Sequence, residues 1–280
     1  MLTIALALAT SAAWGSADFL GGLSARRVQL LVVAAVSQAA GLVFTLIVVI
    51  AGADGPDDAA VLWIGALGGL LGAGGLSALY RGLAVGRMGV VAPIAAMSGL
   101  VPLAVGLIAQ GDRPTSVQAA GMVLAIGGAV LAARAVDEQA DSRVATGVGL
   151  ALLAVLLLGG LSVTLDAGGS RDPVWTIFMV RVSSVIALWI VVAVRRPSFE
   201  RVRPNLLVLV TAGLLDNTAN LMFALATSRP GLLSVVAVLS SLYPVTTVLL
   251  ARLVLRERMH PWQLAGVAAA LAGVSLISLG

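Results

Sequence analysis

The sequence predicts an all-α integral membrane protein of ten transmembrane helices, arranged as two inverted five-helix repeats. Three observations predict it. Of 280 residues, 60% are hydrophobic and 11% are charged, where an ordinary soluble domain is about a quarter charged. Mean hydropathy is +1.07, too high for a chain that must cover itself with polar surface. The chain also divides into ten apolar segments, and the second five resemble the first five in sequence.

A helix needs about 20 apolar residues to cross a hydrocarbon core of about 30 Å. The segments that meet this are 2–22, 29–51, 61–81, 88–109, 116–134, 144–166, 173–194, 205–227, 231–254 and 261–279. Backbone polar groups in lipid must be satisfied within the segment, which makes these helices rather than strands. The first lacks a basic start and a small-residue cleavage site, so it reads as a retained span. The third carries "GALGGLLGAGG", with Gly65/Gly69 and Gly68/Gly72 at G-x-x-x-G spacing, which reads as close helix packing. The fourth and ninth contain Pro102 and Pro244, which are expected to bend them. The joining stretches, such as "SARRVQ" and "GADGPDDAA", are short, which leaves no soluble domain.

Shifted by 142 residues, "LYRGLAVGRMGVVAPIAAMSGLVPL" lies over "LMFALATSRPGLLSVVAVLSSLYPV". Leu79, Arg87, Gly89, Ser98 and Pro102 then match Leu221, Arg229, Gly231, Ser240 and Pro244. After a small offset, Asp112-Arg113 answers Glu257-Arg258, and Gln118, Gly121 and Gly128 answer Gln263, Gly266 and Gly273. The halves are 1–137 and 143–280. An odd number of spans per half reverses the second copy in the membrane. That pattern belongs to secondary transporters, with a substrate site expected where the halves meet near the midplane.

These residues resemble the EamA-type, ten-helix members of the drug/metabolite transporter superfamily, over essentially the whole chain. Trp14-Gly15 looks like the family's Trp-Gly. The run S-x-x-x-P, then acidic-Arg, then Q-x-x-G, looks like the end of each family repeat. The family usually has Gly-Glu at the acidic position; Gly111-Asp112 is a conservative departure, and Arg256-Glu257 loses the glycine. The resemblance implies export, or less often uptake, of small metabolites by alternating access, without fixing a substrate.

Charge indicates an orientation in the membrane. Loops after odd-numbered spans hold Arg26, Arg27, Arg81, Arg87, Arg134, Arg143, Arg195, Arg196, Arg201, Arg203, Arg252, Arg256 and Arg258. The opposite loops hold Arg113, Arg171 and Arg229, and one of them is acidic through Asp54, Asp57 and Asp58. The positive-inside rule then puts the odd loops in the cytoplasm and both termini outside. The family resemblance implies the reverse, with both termini inside. A multi-pass protein of the cell membrane is expected either way.

Ionisable residues inside spans are expensive and usually face a cavity or a partner. Asp216 lies in the middle of the eighth span, accompanied by Asn217 and Asn220; Asp216 and Asn220, four apart, share a face. Arg181, in the seventh span, lies about 6 Å from Asp216 in depth, within reach of its side chain. An Arg181–Asp216 pair is therefore expected, either as a lock between the two helices or as a binding pair for a zwitterion or carboxylate. Asp18 follows Trp14 by four residues and Ser11 by seven, so the three share a face of the first span. It is near that helix's C-terminal end, where the dipole disfavours negative charge. One reading pairs it with Arg26 or Arg27; the other has it take up and release a proton, or contact substrate, as a proton-coupled exporter requires. Asp166 precedes Gly168-Gly169 as Asp18 precedes Gly21-Gly22, and reads as a helix-end residue. Gln38 occupies the place of Arg181 in the first half, as an interhelical hydrogen bond or a cavity lining. Tyr80 and Tyr243 read as interfacial aromatics, with Tyr243 also beside the bend at Pro244. The candidate substrate-binding set is thus Trp14, Asp18, Gln38, Arg181, Asp216, Asn217, Asn220 and Tyr243.

Other functions find little support. The chain has no Cys and one His, His260, in a loop. Neither a zinc site nor a Ser/His dyad can be built from that, and there is no P-loop. No catalytic residue, metal or cofactor is expected. Seventeen basic residues spread between apolar segments are loop anchors rather than a nucleic-acid face. The expected partners are a small-molecule substrate, the bilayer and optionally protons, with the chain a monomer or homodimer. A flippase for a lipid or lipid-linked sugar is the alternative transport reading.

Overall fold

The computed structural model describes residues 2–25, 27–52, 54–56, 58–85, 94–133, 144–229, 232–255 and 261–279. Arg26, Asp57, Arg87, Gly89, Arg134, Arg143, Gly231, Arg256, Glu257, Arg258 and His260 lie outside the described residues, as does the side chain of Tyr80. The described residues are helical apart from short connections, with no strand among them.

In chain order the helices are α1 (Leu2–Ala25), α2 (Leu30–Gly52), α3 (Ala60–Val85), α4 (Leu100–Ile108), α5 (Ser116–Ala133), α6 (Val144–Gly169), α7 (Pro173–Arg195), α8 (Val202–Thr227), α9 (Leu233–Ser240), α10 (Tyr243–Leu255) and α11 (Pro261–Leu279). Six helices are long and apolar enough to cross a membrane, and four shorter apolar segments accompany them, so the chain is a multi-pass membrane protein. The fourth and ninth spans are not continuous α-helices. Among the described residues of the fourth, a 3-10 turn, Ala96–Gly99, runs into α4; the ninth breaks at Ser241–Leu242 into α9 and α10. Proline causes both breaks in the same way. It lacks an N–H and clashes with the preceding turn, so the helix restarts just before it, with Pro102 and Pro244 in the first turns of α4 and α10.

Packing follows a paired scheme. α5 packs along α11; α3 lies against α6 and α7; α8 lies against α1 and α2; and α2 meets α7. α1 touches α9 and α10, while α6 touches the 3-10 turn and α4. Exchanging the first five spans with the last five turns this list into itself.

Glycine permits the closest of these approaches. A methyl group on Gly65 would meet the Thr176 carbonyl oxygen of α7 at 2.6 Å, and one on Gly69 would strike Ser183 and Val180 of the same helix. Gly68 and Gly72 instead face Thr164 and Leu161 of α6. The two overlapping G-x-x-x-G registers therefore serve two different helices. Gly213 lets α8 rest on the Ser37 carbonyl of α2, and Gly121, Gly128 and Gly273 bring α5 and α11 into backbone contact. Beyond such seams, the main apolar core joins Leu165, Ile177, Phe223, Leu239 and Ile277 from α6, α7, α8, α9 and α11.

Candidate functional site

Arg181 in α7 is the organising residue, with a side chain only 2% exposed. A buried guanidinium needs anionic or hydrogen-bonding partners for its five N–H groups. Nη1 donates to Asp216 Oδ2 at 2.8 Å and also to Gln38 Oε1; Nε donates to Asn217 Oδ1 at 2.7 Å. Gln38 closes the ring, donating Nε2–H to Asp216 Oδ2 at 3.0 Å and accepting from the Ser184 hydroxyl at 3.1 Å. Three helices, α2, α7 and α8, are thus tied together. Two donors, Arg181 Nη2 and Asn217 Nδ2, are buried without a partner.

Local geometry explains how these groups converge. Asp216 and Asn220 are one turn apart on α8 and both line one cavity, while Asn217 is turned toward Arg181. Gly41 gives α2 room beside the guanidinium, since a methyl group there would sit 3.3 Å from Arg181 Nε. The cavity has a volume of about 70 Å³. Gln38, Arg181, Ser184, Asp216 and Asn220 supply its polar wall; Gly69, Gly72, Leu76, Leu161 and Leu188 are among its apolar lining.

A second group adjoins from α1. Trp14 donates its indole N–H to Asn220 Oδ1 at 3.2 Å, which links α1 to the cavity-lining face of α8. Its ring lies 5.7 Å from that of Phe223 and edge-on to Tyr243 at 6.4 Å. Tyr243 is therefore an interior aromatic rather than an interfacial one, and its hydroxyl bonds the Ser98 side chain. Along one face of α1, Ala7 and Ser11 are buried, Trp14 is half-buried and Asp18 is exposed. Among the described residues the face runs from packed to open toward the odd-loop end, where none of them lies within 4 Å of a methyl group added at Gly21 or Gly22. Asp18 is close enough to Asp216 and Tyr243 to interact with both electrostatically. Among the described residues it has no hydrogen-bond or ion-pair partner, so the expected pairing with Arg27 is not formed.

The opposite end is sealed by polar contacts that sequence reasoning did not foresee. Gly111, at φ +73°, turns the chain after α4 so that Asp112 N–H bonds the Gly106 carbonyl. Asp112 Oδ2 then accepts the backbone N–H of Ser234 at 2.8 Å, capping α9 from the other half of the chain. Gln110 Nε2 donates to Asp166 Oδ2 at 2.7 Å. Asp166 is thus a helix-end residue that also fastens this seal. Across the loops on this side, Arg171 pairs with Asp58 at 3.2 Å.

Two helical halves surrounding a buried polar cluster invite comparison with known membrane proteins. The model of the EamA-like transporter family matches residues 1–134 and again residues 145–279. The chain belongs to the EamA-like transporter family. A solved crystal structure of a protein overlays this EamA-like chain with a TM-score of 0.82 at 16% identity, over 99% of this chain and 96% of its own length. That likeness shows the fold. No curated protein matches the sequence. Among the described residues no group of His, Cys, Asp and Glu is arranged to hold a metal.

Proposed function

We propose that this EamA-like protein is a secondary-active exporter of small polar metabolites, amino-acid-like compounds or amines, working by alternating access across the cell membrane. The carrying observation is the Gln38–Arg181–Asp216–Asn217 network beside a mainly apolar cavity with one polar wall. A lock between helices would be served by the ion pair alone. Here the pair borders open space, and about 70 Å³ accommodates roughly five waters. A hydrated polar cavity between bundle halves is where a transporter holds its substrate.

The two halves form an inverted repeat. The exchange symmetry of the helix contacts supports this, because the pairings of α5 with α11, α3 with α6 and α7, α8 with α1 and α2, and α2 with α7 map onto one another. Among the described residues, contacts of Asp112, Asp166 and Gln110 close one end of the lumen, and no comparable contact stands beside Gly21 and Gly22 at the other. With the arginine-rich odd loops in the cytoplasm and both termini outside, the open end faces the cytoplasm, which suits the loading state of an exporter. Asp18, exposed in that lumen, is the carboxylate placed to exchange with water and to carry the coupling proton.

The test is stability against a ligand panel. A compound that binds the folded state raises its apparent stability by mass action. The purified protein is melted with amino acids, amines, sugars and nucleotides, and hits are followed by flux in proteoliposomes. A stabilising compound that is transported, and whose effect disappears in Asp216→Asn but persists in Asp58→Asn, supports the reading. Stabilisation by lipid-linked sugars alone refutes it in favour of a flippase.

A further inference from the structure

The charge that a ligand can reach in this site differs from the charge the site contains. Arg181 is 2% exposed and is wrapped by Asp216, Gln38 and Asn217. Asp216 is 28% exposed, and Asp18 is exposed outright. Of these three described residues, a ligand can reach the two carboxylates, while the guanidinium of Arg181 is covered. Arg181 balances Asp216, so Asp18 adds one uncompensated negative charge to the three whenever it is ionised. Where the surroundings are poorly polarisable, that excess favours a ligand of charge +1.

The neighbouring side chains add a second and independent indication. Trp14 precedes Asp18 by one turn on the same face of α1, and its indole is held by Asn220 and by the rings of Phe223 and Tyr243. Trp and Tyr faces attract cations that carry too little hydrogen-bonding capacity to be satisfied by carboxylates alone. Both rings are half-buried, and the indole is held to the cavity wall through Asn220. A sugar or nucleotide would need hydrogen-bonding groups in place of this pairing of carboxylate and ring. A carboxylate ligand would have to approach Asp18 and Asp216 to reach a guanidinium already covered.

We propose that Asp18, Asp216, Trp14 and Tyr243 form a binding site for a monovalent organic cation, an amine or quaternary ammonium compound with apolar substituents. This rests on the central lumen being the transport site and narrows its substrate class.

The experiment uses the full chain in lipid nanodiscs, titrated calorimetrically with two probes that share a ring and differ in charge, benzyltrimethylammonium and benzoate. Empty nanodiscs are subtracted. Saturable binding of benzyltrimethylammonium and none of benzoate is expected, with affinity about tenfold lower in Asp18→Asn. Asp18 is exposed, so its near-isosteric amide leaves the fold intact; Trp14→Leu is the second variant and is expected to weaken the same probe. Asp58→Asn, at the far surface, leaves binding unchanged. Equal affinity in Asp18→Asn overturns the proposal, as does binding of benzoate in preference to the cation. Benzoate binding that is lost in Asp216→Asn overturns only the cation class and leaves the central-site transporter standing. Absence of binding by both probes overturns the cation class, and the proteoliposome flux then decides the transporter reading separately.

Discussion

The two partners of the central ion pair should not be equally costly to remove. Replacing one member of a buried pair strands the other, at about 3–5 kcal/mol, whereas replacing both with apolar groups is often near neutral. The stranded group differs in each case. Asp216→Leu leaves Arg181, only 2% exposed at the cavity wall; its remaining acceptors are the neutral oxygens of Gln38 and Asn217. That change is placed at the upper end, about 4 kcal/mol. Arg181→Met leaves Asp216, 28% exposed at the cavity wall and still accepting from Gln38. Rehydration of that carboxylate lowers the cost to about 2 kcal/mol. The double variant should then cost less than Asp216→Leu alone. The assay is equilibrium unfolding in mixed dodecyl maltoside and SDS micelles, followed by far-ultraviolet circular dichroism. A larger loss for Arg181→Met than for Asp216→Leu, or a double variant equal to the sum of the two, refutes the reasoning.

Three further outcomes are expected. Asp112→Ala removes the cap from α9 at a cost of about 1 kcal/mol, read as faster amide exchange at Ser234 and Val235 and not in α11. Gly128→Leu pushes a side chain into the Gly266 and Ala270 backbone of α11; overpacking of this kind costs about 1–3 kcal/mol, seen as a lowered melting temperature. Because the chain has no cysteine, single cysteines report orientation. Thr115→Cys should react with an impermeant maleimide in intact cells and Ser198→Cys only after lysis, and the opposite pattern refutes the cytoplasmic odd loops.

The sequence made the spans legible because lipid imposes a length and a composition on each of them. It also made the Arg181–Asp216 contact legible, since two unlike charges at similar depth in apolar helices have few alternatives to each other. Periodicity placed Asp216 with Asn220 on one face, and the cavity lies on that face. What it could not supply were partners set by the packing of distant helices. Trp14 and Asn220 are 206 residues apart, and no local pattern joins them. Gln38 stood out only through its place in the repeat, and its three hydrogen bonds became evident with the arrangement of α2, α7 and α8. Asp112 read as part of a family motif, while its work as a cap depends on α9, 122 residues further on. The bends at Pro102 and Pro244 were anticipated, but a full break with a restarted helix was not.

The contact between Gln38 and Arg181 says something about ancestry. α2 and α7 exchange with each other under the pairing of the halves, and these two residues hydrogen-bond where the two helices meet. In a precursor made of two identical five-helix chains, the same residue would occupy both places. Two glutamines satisfy each other there, amide to amide. Two arginines would bring like charges into contact inside the bilayer, with Gly74 standing, by the 142-residue shift, where the second half has Asp216. A residue such as Arg181 became tolerable once the two copies were one gene and free to differ. Splitting the chain and pairing either half with itself would therefore give unequal products: the first half has a glutamine at the axis and can self-associate, while the second carries a charge that needs its sibling.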